Sequence, residues 1–247
     1  MTRLIVLLLA DLFGGAAWCG DVQVAVAANF AQPMQQIAAA FEQETGNRVT
    51  FSAGATGKFY AQIRNAAPFD VLLSADQATP GKLIMEQQAL AETRFTYAVG
   101  KLVLWSADPQ LVDDHGQILA SGHYRHLALA SPEQAPYGQA AIETLTSLKL
   151  LDKLAPKFVQ GESIGQTYAF VATGNAELGF VALSQVWENN KIKSGSVWMV
   201  PEELYQPLRQ DAVLLRHGKD NPAARGFLEF LKSDAARKII RTYGYQI

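Results

Sequence analysis

From Asp21 onward, strand-like and helix-like segments succeed one another with hardly a break, an order that predicts an α/β protein with mixed, mostly parallel sheets. Val22 to Ala27 is a β-branched and small apolar run. After Asn29, the residues Met34, Ile37, Ala38 and Phe41 recur at helical spacing, and Gly46 closes the segment. Arg48 to Ser52 reads as a second strand, Gly54-Ala55-Thr56-Gly57 as a turn, and the stretch carrying Phe59 and Ile63 as a short helix ending near Pro68. Val71 to Leu73 is apolar throughout, as a strand buried on both faces must be.

A second block opens with Tyr97 to Trp105, which reads as one long strand. Leu127–Ala130, Leu178–Leu183, Val197–Val200 and Ala212–Leu215 follow as strands. Gln139–Leu150 and Thr167–Thr173 read as helices, and the chain closes on a helix with Phe227, Phe230 and Leu231 on one face. The 247 residues suit one large domain or two of about 100 each. There is no internal repeat and no Gly/Ser- or Pro-rich linker. Two lobes without a linker imply a chain that crosses between them on extended strands able to act as a hinge.

Residues 1–20 have the layout of a secretory signal peptide: an early cation at Arg3, an apolar run from Leu4 to Ala10, then small residues before Asp21. The run is too short for a permanent membrane span, which takes roughly 20 apolar residues. Cleavage near Gly20 would remove Cys19, the single cysteine, and leave an exported chain suited to an oxidising compartment. The formal charge of −2, from 21 basic and 23 acidic residues, provides no long-range field to steer nucleic acid or an anionic membrane onto the surface. Any anion must be caught locally.

Three strand-to-helix junctions carry small or hydroxyl-bearing residues: Ala28-Asn29-Phe30, Gly54 to Lys58, and Pro136-Tyr137-Gly138-Gln139. In a parallel sheet such junctions lie at the carboxyl ends of strands, where α/β proteins place ligands, and each offers free N–H groups at the positive end of a helix dipole. Taken singly, Asn29 reads as a helix cap and Gly54 and Gly57 as turn residues; the set of three points to an anion site.

Other chemistries find less support. Gly57-Lys58 resembles the end of a phosphate-binding loop, yet Ser52 stands where the leading Gly belongs and Phe59 where the magnesium-binding hydroxyl belongs. His123 and His126 lack a third ligand at metal-site spacing, and no nucleophile elbow accompanies the four histidines. Lys58 is expected to point to solvent.

The segments Asp21–Phe30, Ser52–Ile63 and Ala67–Asp76 resemble the ModA family of periplasmic molybdate-binding proteins, receptors of molybdate ABC importers. Gly179–Ser184 and Arg241–Ile247 fit the same pattern, so the resemblance covers essentially all of the chain after the leader. It implies a type II periplasmic binding protein: two α/β lobes joined by two crossing strands, closing over a tetrahedral oxyanion held by neutral hydrogen bonds. The lobes would comprise residues 21–98 with 206–247, and 99–205. By the same resemblance the ligands are Asn29 and Thr56, with the Gly57 amide beside them, and in the second lobe Tyr137 and Ile164 through backbone amides. Some members have Ser where this chain has Asn29 and Tyr where it has Ala182; the Tyr137 hydroxyl is the expected replacement for the latter. The implied cargo is molybdate or tungstate with no cofactor, the protein a periplasmic monomer and not an enzyme, its partners a membrane permease and ATPase.

Two alternatives stand beside this one. An exported hydrolase or transferase would hold a phosphate ester at the same helix starts, with Asp70, Asp76 or His217 for its chemistry. A binding protein of the same fold would carry sulfate, phosphate or a metal complex.

Overall fold

The computed structural model describes residues 20–247; apart from Gly20, the expected leader lies outside the described residues. β1 (Asp21–Ala27) is followed by a single 3-10 turn over 28–30 and by α1 (Ala31–Thr45), whose buried side is the predicted row of Met34, Ile37, Ala38 and Phe41. Gly46 ends α1 at φ 73°, a left-handed conformation that costs a glycine little. Next come β2 (Arg48–Gly54), α2 (Thr56–Arg64), β3 (Val71–Leu73), α3 (Ala78–Met85), β4 (Phe95–Gly100) and β5 (Leu102–Ser106). The middle of the chain forms α4 (Gln117–Ser121), β6 (Leu127–Ala130), α5 (Pro136–Ser147), α6 (Leu151–Leu154), β7 (Phe158–Gly161), α7 (Ile164–Ala172) and β8 (Leu178–Ala182). After α8 (Leu183–Val186), a small hairpin of β9 (Trp187–Glu188) and β10 (Lys191–Ile192) leads to β11 (Ser196–Met199). β12 (Leu208–Leu214), α9 (Pro222–Leu231) and α10 (Asp234–Thr242) complete it.

Two five-stranded sheets result, ordered β2-β1-β3-β12-β4 and β11-β5-β8-β6-β7. β12 runs antiparallel to β3 and β4 in the first, and β5 antiparallel to β11 and β8 in the second; the remaining pairs are parallel. The first sheet is built from both ends of the chain. Its core centres on Phe30, Met34, Phe41, Phe227 and Phe230, with Phe41 edge-on to Phe227 at 5.5 Å. The second packs Leu102, Leu104, Leu127, Leu129 and Phe180, and Ala27 at the end of β1 and Ala75 just beyond β3 join this cluster. The two sheets therefore meet through apolar contact near the carboxyl ends of β1 and β3.

Four expectations need correction. The Gly54–Gly57 stretch is no turn: β2 runs through Gly54, α2 starts at Thr56, and neither glycine has a positive φ. Tyr97–Trp105 is two strands in different sheets, broken at Lys101, because the chain crosses from the first sheet to the second there. α5 begins at Pro136, whose missing N–H costs nothing in the first turn, three residues before the predicted start. The final helix is two: the chain breaks after Leu231, and Ser233 accepts the Ala236 N–H to cap α10.

Candidate functional site

Each sequence-predicted site residue lies at the carboxyl end of a strand. Asn29 follows β1, Thr56 opens α2 after β2, Tyr137 is the second residue of α5 after β6, and Ile164 opens α7 after β7. All four are at least 97 % buried. Tyr137 and Ile164 share their apolar cluster with Ala27 and Ala75, and a Cβ on Gly165 would lie 3.3 Å from that of Ala28. The helix starts of the two lobes thus face one another at close quarters.

The first turn of a helix leaves its N–H groups without intrahelical acceptors. Among the described residues, the backbone N–H groups of Thr56, Tyr137 and Ile164 have no protein acceptor. An unpaired buried polar group costs about 1–3 kcal/mol, so a cluster of them marks a place for a polar ligand. Thr56 adds a side-chain donor: its Oγ1 accepts the Ala75 N–H at 3.1 Å, which leaves its own proton to give. No Lys, Arg or His is buried among the described residues.

Gly57 is placed differently from the other four. Its N–H donates to the Gln134 carbonyl at 2.9 Å across the cleft, so this amide is committed to the other lobe. A Cβ on it would lie 3.1 Å from Gln134 Cα and 3.2 Å from Gln134 O, which explains a glycine at this point of the helix. Lys58 likewise pairs with Glu162 of the second lobe, both side chains exposed.

Beneath Asn29 lies a polar layer that the sequence did not reveal. Asn29 Nδ2 donates to Gln210 Oε1 at 2.8 Å and to Tyr245 Oη at 2.9 Å. Gln210 Nε2 donates to Tyr137 Oη at 3.2 Å, and Gln210 Oε1 accepts from Tyr97 Oη at 3.0 Å. Tyr245 Oη and Ser184 Oγ both donate to the Asn29 carbonyl, at 2.9 and 2.7 Å. Phe30 packs edge-on against Tyr97 and Tyr245, with ring centroids 4.8 and 5.4 Å away. Burial pushes the hydroxyls of Tyr97 and Tyr137 well above their ordinary 10.0 and that of Tyr245 up to about 12, so all three remain protonated at neutral pH. The Tyr137 hydroxyl is thus held by Gln210, while its backbone N–H is free.

In the second lobe, Gln185 ties two helix starts together. Its Oε1 accepts the Ala182 N–H at 2.9 Å and its Nε2 donates to the Ile164 carbonyl at 3.0 Å. The candidates for hydrolytic chemistry sit elsewhere or are engaged. Asp70 precedes β3, at the opposite end of the strand, and accepts from Gln23 N while facing His217 at 3.1 Å. Asp76 accepts the Thr79 N–H at 2.8 Å and so steadies the start of α3. His126 donates its N–H to Glu177, and no group of three potential metal ligands occurs among the described residues.

A family model described as bacterial extracellular solute-binding protein matches residues 22–246. The Molybdate-binding protein ModA of Azotobacter vinelandii is 54 % identical over 245 residues, covering 99 % of this chain and 97 % of the relative. That of Rhodobacter capsulatus is 52 % identical, covering 93 % and 89 %. The solved structure of the Azotobacter vinelandii periplasmic molybdate-binding protein superposes with a TM-score of 0.89 at 43 % identity, covering 92 % of this chain and 99 % of that one. With the same two-lobed α/β architecture and high identity along nearly its whole length, the chain belongs to the ModA family of bacterial extracellular solute-binding proteins.

Proposed function

We propose that this protein captures molybdate, and tungstate with it, in the periplasm and hands the closed, loaded form to the permease and ATPase of an ABC importer. The observation that carries this reading is the set of buried, acceptorless N–H groups at helix starts of both lobes, with no buried cation among the described residues. The names of the relatives point to the same cargo. The oxyanion is held by the Asn29 side chain, the Thr56 hydroxyl and amide, and the Tyr137 and Ile164 amides, with Gly57 serving closure instead of coordination. The lobes that close comprise residues 21–98 with 206–247, and 99–205, and the protein works as a monomer without a cofactor.

A dianion leaving water must recover its hydration from aimed N–H and O–H dipoles, so closure of the second lobe is part of binding. A ring of donors also discriminates. Hydrogen phosphate would bring an O–H that meets no acceptor, at a cost of about 1–3 kcal/mol. Sulfate is excluded by its smaller size.

A thermal-shift panel of molybdate, tungstate, sulfate, phosphate and phosphate esters on the mature protein tests the reading, because a ligand that binds only the folded state raises the melting temperature. Molybdate and tungstate are expected to raise it and the others to leave it in place. A protein that ignores both group-6 oxyanions overturns the assignment.

A further inference from the structure

The Asn29 side chain has one atom without a partner: Oδ1 is buried and accepts nothing among the described residues. A bare acceptor beside a site for an oxyanion is the wrong polarity, since both sides would then offer lone pairs. The residue able to correct it is Gln210, itself fully buried. It sits on β12 where the pairing with β4 skips a residue: Gln210 lies opposite Ala98 and Asp211 opposite Thr96, so Tyr97 is bulged out of the ladder with its hydroxyl 3.0 Å from Gln210 Oε1.

We propose that Gln210 is the positioning residue that aims the Asn29 amide at the bound anion, the two amides rotating together by half a turn. This rests on the oxyanion reading above. With both turned, Gln210 Nε2 donates to Asn29 Oδ1 and to Tyr97 Oη, and Gln210 Oε1 accepts from the Tyr137 hydroxyl. Asn29 Nδ2 then takes the place of the unpartnered oxygen and gives its protons to the ligand. The rotation also resolves a shortage in the layer below. Tyr97 has one proton for two acceptors, the Ser74 carbonyl at 3.1 Å and Gln210 Oε1 at 3.0 Å. Once Gln210 donates to it, Tyr97 serves Ser74 alone. Tyr245 Oη, 2.9 Å from the Asn29 amide, donates to Oδ1 in the turned arrangement, while Ser184 keeps the Asn29 carbonyl. Each hydroxyl then gives its one proton to one acceptor, and neither amide oxygen is left bare.

The test is a double-mutant cycle on molybdate affinity, measured by titration calorimetry with Gln210→Met, Asn29→Ala and the pair. Methionine keeps the shape of glutamine and removes its hydrogen bonds. Gln210→Met is expected to weaken binding about tenfold, the value of one misdirected hydrogen bond, and to add nothing in the Asn29→Ala background, because it acts only through Asn29. Unchanged affinity in Gln210→Met, or losses that simply multiply in the double variant, overturns the proposal. Should Gln210→Met fail to fold by circular dichroism, Gln210→Glu carries the same cycle, and multiplying losses there overturn it equally. Failure of the wild type to bind molybdate at all would instead strike the oxyanion reading, so the two failures are distinct.

Discussion

The N–H of Gly57 donates to the carbonyl of Gln134 at 2.9 Å, joining the first turn of α2 in one lobe to the loop that leads into α5 in the other. The contact is backbone to backbone, and a Cβ at Gly57 would press on Gln134 Cα at 3.1 Å and O at 3.2 Å. Gly57→Ala should therefore prop the lobes apart. We expect a loss of molybdate affinity on the order of tenfold, with a larger radius of gyration for the loaded variant in small-angle scattering. The melting temperature of the free protein should hardly change, since the strain arises only on closure.

The neighbouring cross-cleft ion pair behaves differently. Lys58 and Glu162 have side chains 47 % and 70 % exposed, and pairs in that setting contribute about 0–1 kcal/mol. Lys58→Ala is expected to weaken binding less than about fivefold, and the difference from wild type should vanish in 0.5 M salt, where the Debye length falls to about 4 Å. Calorimetry at low and high ionic strength checks both points.

Thr56 makes two contributions that one substitution separates from shape. Thr56→Val keeps the β-branched outline, loses the proton proposed to reach the anion and strands the Ala75 N–H, now satisfied by Oγ1 at 3.1 Å. A hydrogen bond to a charged group is worth about 1.5–3 kcal/mol, which predicts a fall in affinity of roughly ten- to a hundredfold. Thr56→Ser restores both bonds and should bind close to wild type. Equal affinity for Val and Ser variants in calorimetry would remove the hydroxyl from the site.

The site residues legible in the sequence are those whose signal is local. Asn29, Thr56, Tyr137 and Ile164 each stand at a strand-to-helix junction, and such junctions announce themselves within about ten residues through a change of period. The supporting layer has no such signal. Gln210 reaches Asn29 from 181 positions away because β12 inserts between β3 and β4, and Tyr245 arrives from the chain terminus. Nothing in a single sequence states which distant strand lies beside which. The same limit hid the break at Lys101, because a continuous apolar run fits one buried strand as well as two in different sheets. α3 is hard to read from sequence for a local reason: Pro80 and Gly81 look like breakers, yet proline in the first turn removes an N–H that had no intrahelical acceptor.

Gly100 is the last residue of β4 and lies against the polar layer. A Cβ there would strike Tyr137 Oη and come within 2.6 Å of Gln210 Nε2. Gly100→Ala should cost about 1–3 kcal/mol of stability through overpacking and weaken molybdate binding as Tyr137 is displaced. Adding Tyr137→Phe, which removes the oxygen that is struck, should recover part of the stability. Urea unfolding of the single and double variants measures this, and equal stability of the two would show that the clash lies elsewhere.

The buried tyrosines set the alkaline limit of the fold. Burial raises Tyr97 and Tyr137 well above 10.0 and Tyr245 to about 12, whereas in the unfolded chain all three ionise near 10. Above that pH the unfolded state holds fewer protons than the folded one, so stability falls as pH rises. The contribution is fully present below about pH 10 and is lost as pH climbs through about 12. Urea midpoints between pH 8 and 12 should drop steeply beyond 10, and Tyr97→Phe should flatten the drop by removing one of the protons at issue. Molybdate affinity, resting on amides and a hydroxyl with no buried cation among the described residues, should stay level from pH 7 to 9. A slope in that range would place a titrating group in the site.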